Sequence, residues 1–124
     1  MTQSSLPDLW YTLFKPAGVD LDKPGIYCWV IDGVESYIGR YSDKERPTRH
    51  YGRIIERYRN GGDYRKSNPN GFRRVHIALS DAEKNGAKIE LHILENVEAA
   101  LLQEKETEWI QKKRPPLNGP ATVC

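Results

Sequence analysis

Cysteine is scarce in this chain: only Cys28 and Cys124 occur. Two cysteines make no disulfide framework, and the usage implies a reduced, intracellular (cytoplasmic) protein. Long apolar runs are missing as well. None approaches the roughly 20 residues that a membrane-crossing helix needs, and the first residues lack the basic segment and apolar stretch of an export signal. No membrane partner is expected. Histidine is equally sparse. Three histidines without cysteine partners at metal spacing give no expectation of a zinc site. There is no internal repeat and no low-complexity tract. At 124 residues the chain has room for one modest core, hence a single domain over 1–124.

What is present is first an uneven distribution of charge. The net charge is +2, but residues 40–76 hold eleven Lys/Arg against four Asp/Glu, a local +7, which leaves −5 for the remainder. Tyr41, Tyr51, Tyr58 and Tyr64 are interleaved with these cations. A basic sector with aromatics is the footprint of a phosphate-backbone contact surface. A surface matched to an acidic protein is the alternative that charge alone leaves open.

The most structured signal lies in Pro24–Tyr41. The apolar run Ile26–Ile31 and the run through Tyr37-Ile38-Gly39 flank Asp32-Gly33, which predicts a β-hairpin. A two-residue Asp32-Gly33 turn would pair Tyr27 with Ile38 and send the tyrosines to opposite faces. A three-residue loop, Ile31-Asp32-Gly33, pairs Val30 with Val34 and sets Tyr27 opposite Tyr37 on one face. The expectation is that Tyr27 and Tyr37 share a face. Before the hairpin, apolar residues at 6, 9, 10, 13 and 14, with Pro7 in a first turn, predict a short helix, and residues 15–23 a connector. After it, Thr48 is a candidate cap for a helix to about Arg59, with the stripe Tyr51, Ile54, Ile55, Tyr58 and the cationic row Arg49, Arg53, Arg57. Phe72, Val75, His76, Leu79 and Ala82 mark a further helix, with Arg73 and Arg74 beside its stripe. Ile89, Leu91 and Ile93 alternate as a third strand, leaving His92 on the other face as a surface histidine.

The last helix, about Val97 to Lys113, carries an anomaly. Ala99, Leu102, Trp109 and Ile110 define its buried stripe, and at about 100° per residue Glu106 falls near the stripe's centre. Glu104 and Glu108 fall on the solvated side. An inward carboxylate is costly unless an arginine pairs it or a metal binds it, and both readings stand.

Gly25-Ile26-Tyr27 and Tyr37-Ile38-Gly39, ten residues apart from Tyr to Tyr, together with Gly52-Arg53-Ile54-Ile55-Glu56-Arg57-Tyr58 and with Glu106 twelve residues before Asn118, resemble the GIY-YIG nuclease family. The likeness spans roughly Pro24 to Asn118. It implies a small three-stranded antiparallel sheet flanked by helices, an α/β (α+β-type) fold of order α-β-β-α-α-β-α, with 1–23 as helix and connector, 24–118 as core and 119–124 as tail. It implies a metal-dependent endonuclease acting on nucleic acid, DNA foremost. By that resemblance Tyr27, Tyr37, Arg53, Glu106 and Asn118 are the catalytic set and Glu106 is the ligand of one divalent ion, Mg²⁺ or Mn²⁺. Arg57 takes the position one turn after Arg53. The loop before the helix is longer than in compact members, so Arg49 or Arg57 are alternatives to Arg53. Arg40, Arg49, His50, Arg57, Arg73 and Arg74 are candidate nucleic-acid contacts, although His50 also reads as a solvated histidine. A homodimer or a targeting partner chain would supply specificity that a single small domain lacks. A binding module of the same fold without turnover is the alternative function.

Overall fold

The computed structural model describes residues 6–7 and 10–118. It is an α+β fold with four strands and three α-helices: β1 (Thr12–Phe14), β2 (Gly25–Ile31), β3 (Val34–Tyr41), α1 (Arg49–Arg59), α2 (Arg74–Lys84), β4 (Ile89–Asn96) and α3 (Leu102–Lys113), the last preceded by a 3-10 turn, Ala99–Leu101. From Gly25 onward the order is the β-β-α-α-β-α read from the sequence. The start of the chain differs. Where a helix was expected, Thr12–Phe14 forms an edge strand parallel to β4, so the sheet is four-stranded and mixed, in the order β1-β4-β2-β3, and not three-stranded and antiparallel. The outer edge of β4 offers unpaired backbone groups, and a β-branched and aromatic segment satisfies them better than a short isolated helix would. Trp10 supports this path by stacking on Trp29 at 5.2 Å. The part of the expected helix at positions 8–9, and the tail at 119–124 with Cys124, lie outside the described residues.

The β2–β3 register also departs from expectation, in an instructive way. Asp32 and Gly33 have φ of 49° and 81°, a two-residue turn with both central residues left-handed, and Ile31 pairs with Val34. The three-residue loop is therefore absent. A bulge follows at once: Val30 pairs with Glu35 but Trp29 pairs with Tyr37, so Ser36 is the extra residue. Turn and bulge together shift the pairing by two residues from the expected one, so that Tyr27 faces Gly39. A shift of two preserves the face. Tyr27, Trp29, Tyr37 and Tyr41 accordingly lie on one side of the sheet.

That side is covered by α1 and α2, whose Tyr51, Ile55, Val75 and Leu79 pack on Tyr27, Trp29, Leu91 and Ile93. The opposite side is covered by α3, with Leu102 and Val97 against Ile26, Cys28 and Ile38. Burial drives both layers at roughly 25 cal/mol per Å² of apolar surface. Helix α1 runs as expected, and Gly61, at φ 76°, follows its Asn60 cap. Thr48 precedes α1 but its side chain does not cap it; its hydroxyl donates to the Lys44 carbonyl at 2.6 Å. Phe72 precedes α2 and Ala99 lies in the exposed 3-10 turn, so both stripes begin one turn later than their spacing suggested. Arg59, part of the basic sector, is withdrawn from the surface. Only 3% exposed, its side chain ties α1 to α2 through Ser80 and Glu83. Among the described residues no helix is long and apolar enough to cross a membrane.

Gly39 is where the sheet tolerates no side chain, since a Cβ there would meet the ring and hydroxyl of Tyr27. Gly39→Ala is expected to push Tyr27 off its rotamer and cost about 1–3 kcal/mol, the range of overpacked cores. Gly33→Ala is strained for a different reason, its positive φ, and should leave the Tyr27 ring in place. Chemical denaturation with tyrosine fluorescence separates the two. Unchanged stability in Gly39→Ala would contradict the packing described.

Candidate functional site

β3 is an edge strand, and at Gly39–Tyr41 both sides of the sheet are reachable from solvent around that edge. A cleft of about 600 Å³ opens there, lined by Tyr27, Tyr37 and Tyr41 from one side of the sheet and by Arg40, Leu102 and Glu106 from the other, with Arg46, His50 and Arg73 closing it. The missing side chain at Gly39 leaves its place to the ring and hydroxyl of Tyr27.

Tyr27 is buried, 2% exposed, and its hydroxyl shares a 2.8 Å hydrogen bond with that of Tyr51. Burial is the main force that raises its pKa, aided by Tyr37, while the Tyr51 hydrogen bond, Arg73 and Arg46 oppose the rise without cancelling it. Tyr51 is raised for the same reason. Both phenols therefore stay neutral at physiological pH, and Tyr27 acts as a hydrogen-bonding group and not as a standing phenolate. Tyr37 lies beside Tyr27, ring centroids 6.4 Å apart, and its hydroxyl accepts a 3.2 Å hydrogen bond from Arg73. Sharing of one face by the two tyrosines, the expectation that mattered most for a site, is met.

Arg73 is held in place by the start of α2. The imidazole Nδ1 of His76 accepts the Arg73 backbone N–H at 3.0 Å, and the His76 N–H donates to the Arg73 carbonyl at 2.9 Å. This is a capping arrangement in which histidine serves as the acceptor. His76 is 1% exposed, and burial first, then Arg73 and Arg46, bring its pKa down to about 4. It is a neutral structural cap.

Glu106 faces inward, as the helical spacing implied. Its side chain is 18% exposed and accepts a 2.7 Å hydrogen bond from Arg40. The arginine-paired reading of this carboxylate is thus realised. The metal reading is compatible with it. Mg²⁺ commonly takes one or two carboxylates and fills its remaining positions with water and substrate phosphate. Glu106 offers one such carboxylate in the wall of a cleft, and Arg40, 46% exposed, has room to turn away. Among the described residues no three His, Cys, Asp or Glu side chains gather into a ready-made cage.

Asn118 does not enter the cleft. It clamps the outer edge of β3, donating to the Ile38 carbonyl at 2.8 Å and accepting the Ile38 N–H at 2.7 Å, while the Leu117 N–H donates to the carbonyl of the bulged Ser36 at 2.9 Å. It thereby fixes the segment that carries Tyr37 and Gly39. This is a positioning role.

The arginine expected to lead the site is not among its walls. Arg53 is exposed on α1 and does not line the cleft. Arg49 pairs with Glu45 at 3.6 Å, Arg57 donates to the Tyr64 carbonyl at 3.3 Å, and Arg74 donates to the Pro116 carbonyl at 3.2 Å. The guanidinium groups that do line the cleft are Arg40, Arg46 and Arg73. Arg40 and Arg73 were read as backbone contacts, and Arg46 was overlooked because it sits in a loop before Pro47. Its signal in the sequence was only its place in the basic sector, four residues before His50. Tyr51 was read in the core stripe and among the aromatics of the basic sector, and the structure adds that its hydroxyl positions that of Tyr27.

No family model, no curated protein and no solved structure matches the chain.

His76 sets a pH dependence whose sign follows from its lowered pKa. The unfolded chain binds the proton more readily, so the contribution of His76 to stability is complete above about 6.5 and is lost as pH falls toward about 4. Melting temperature should drop from pH 7 to pH 5, and His76→Gln, which keeps an acceptor for the Arg73 N–H, should flatten that drop. An equally steep profile in the variant would show that His76 is not the titrating cap.

Proposed function

We propose that the protein is a metal-dependent endonuclease of the GIY-YIG type, hydrolysing phosphodiester bonds in nucleic acid, DNA foremost. The observation that carries the reading is the meeting of two phenols, Tyr27 and Tyr37, with Arg73 and the Glu106 carboxylate around the Gly39 edge. Phenols and guanidinium groups recognise a phosphate, and a single inward carboxylate at the same place is what a divalent ion would need.

In this reading Glu106 holds Mg²⁺ or Mn²⁺, which supplies Lewis-acid charge at the phosphate when bound. Arg73 and Arg46 hold the scissile phosphate and stabilise the charge that grows on its oxygens. Arg40, released from Glu106, becomes a further phosphate contact. The Tyr27 hydroxyl, fixed by Tyr51, accepts a hydrogen bond from the attacking water and orients it. Tyr37, held by Arg73, completes the positioning from the strand edge. His50 lines the cleft at the first turn of α1. One chain offers one such constellation, so a double-strand break requires a homodimer or two successive events.

A second reading, a nucleic-acid-binding module without turnover, draws on the Arg40–Glu106 pair, which already neutralises the carboxylate, and on the raised pKa of Tyr27.

Glu106→Gln discriminates. For the nuclease, Mg²⁺-dependent nicking of plasmid should fall by about 100-fold or more, the size of effect seen when a charge-stabilising group is removed. Binding in EDTA should persist. Stability should change by no more than about 1 kcal/mol, since Arg40 remains hydrated. Arg73→Ala should also lose nicking, whereas Arg53→Ala should retain it. Undiminished cleavage by Glu106→Gln overturns the assignment of the carboxylate, and no cleavage by the wild type under Mg²⁺ or Mn²⁺ favours the binding module.

A further inference from the structure

Beside the cleft, sharing Tyr37 and Arg73 with it, lies a second depression of about 460 Å³ whose other walls are Phe72, Arg74, Val75, Leu117 and Asn118. We propose that it receives one unpaired base of the bound nucleic acid, the nucleotide flanking the phosphate in the cleft, so that the substrate carries an unpaired nucleotide beside the scissile bond. This rests on the reading of the cleft as a phosphate site.

Four observations carry the inference. The lining combines apolar groups, Phe72, Val75 and Leu117, with the guanidinium groups of Arg73 and Arg74. That combination suits a base with its own phosphate, stacked on an aromatic ring and held by guanidinium. Second, the volume lies within the roughly 300–1,000 Å³ of small-ligand pockets and accommodates a heteroaromatic ring. Third, the walls are preformed. Phe72 is braced edge-on by Tyr58 at 5.4 Å and by Tyr64 at 5.5 Å, and Leu117 and Asn118 are pinned to β3 by hydrogen bonds to Ser36 and Ile38. Little ordering remains to oppose binding. Fourth, the depression adjoins the cleft: the two share Tyr37 and Arg73, which are joined by a 3.2 Å hydrogen bond. A strand whose phosphate contacts Arg73 thus has its neighbouring base at the mouth of the depression.

The same geometry limits what can be read there. The Asn118 amide spends both its donor and its acceptor on the Ile38 backbone, and the Tyr37 hydroxyl accepts from Arg73. Stacking on an aromatic face tolerates every base. The site therefore selects for an unpaired base and not for its identity. In a perfect duplex the base is held in the stack, and extruding it costs free energy that a bulged or frayed nucleotide does not require.

The test is equilibrium binding in EDTA, which is independent of turnover, with short DNA duplexes that are either perfect or carry one unpaired 2-aminopurine. The wild type should bind the bulged duplex about tenfold tighter, the scale of one stacking contact, and the 2-aminopurine emission should change on binding. Phe72→Leu should bring the two affinities together while leaving affinity for the perfect duplex unchanged. Phe72→Tyr, which keeps an aromatic face, should restore the preference, and circular dichroism of both variants guards against misfolding. Equal affinity of the wild type for both duplexes overturns the proposal, as does a preference that survives in folded Phe72→Leu. If the protein cleaves but shows no such preference, the base site alone falls. If it binds neither duplex, the phosphate site falls with it.

Discussion

Ser36, the extra residue between Val30 and Trp29's partner, is the constraint on which the site depends. The tight Asp32-Gly33 turn taken alone would place Tyr27 opposite Ile38 and drive Tyr37 to the α3 side. One inserted residue reverses the parity of every later position in β3. Tyr37, Gly39 and Tyr41 then face α1 and α2, where Tyr51 and Arg73 can meet them, and Ile38 and Arg40 face α3, where Leu102 and Glu106 wait. The bulge also turns the Ser36 carbonyl toward Leu117, which anchors the chain after α3. Deleting this one residue would exchange the two sides of the strand and dismantle the cleft without removing any residue that lines it.

Strands β2, β3 and β4, the helices after the hairpin and the inward placement of Glu106 were legible because each rests on a local period: two for β4, about 3.6 for α1 and α3. The face shared by Tyr27 and Tyr37 was legible for a subtler reason. Only parity mattered, and turn plus bulge has the same parity as the expected three-residue loop. What was not legible depended on tertiary context. The segment Thr12–Phe14 has no helical or strand identity of its own and takes that of the free β4 edge. The Thr48 hydroxyl had an alternative acceptor, Lys44, which no spacing rule predicts. Arg53 and Arg73 exchanged prominence because a row of arginines on a helix says nothing about which end of the helix lies against the sheet edge.

The chemistry of the cleft follows from this packing. Burying two phenols against each other makes them poor bases but precise hydrogen-bonding groups, since each fixes the other's hydroxyl and neither ionises. Arg73 is the polar group common to Tyr37 and to the α2 cap. Its guanidinium is positioned from the backbone side by a neutral histidine, and among the described residues it has no acidic partner. Arg40, by contrast, is neutralised by Glu106. Of the three guanidinium groups that line the cleft, Arg73 and Arg46 are thus open to a ligand, and Arg40 is released only when something else takes the carboxylate.

That difference gives the Arg40–Glu106 contact a consequence beyond stability. Arg40 is half-exposed while Glu106 is 18% exposed, so the pair contributes modestly to folding, about 1 kcal/mol, and in the proposed reading a cation that takes the carboxylate and a phosphate that takes the guanidinium would offset its breaking. The two replacements are coupled: each frees a partner for the other, and by linkage a divalent cation and a phosphodiester should each raise the affinity for the other by the same factor. In the proposed nuclease reading this pair would link the binding of cation and nucleic acid, and with both absent Arg40 neutralises Glu106.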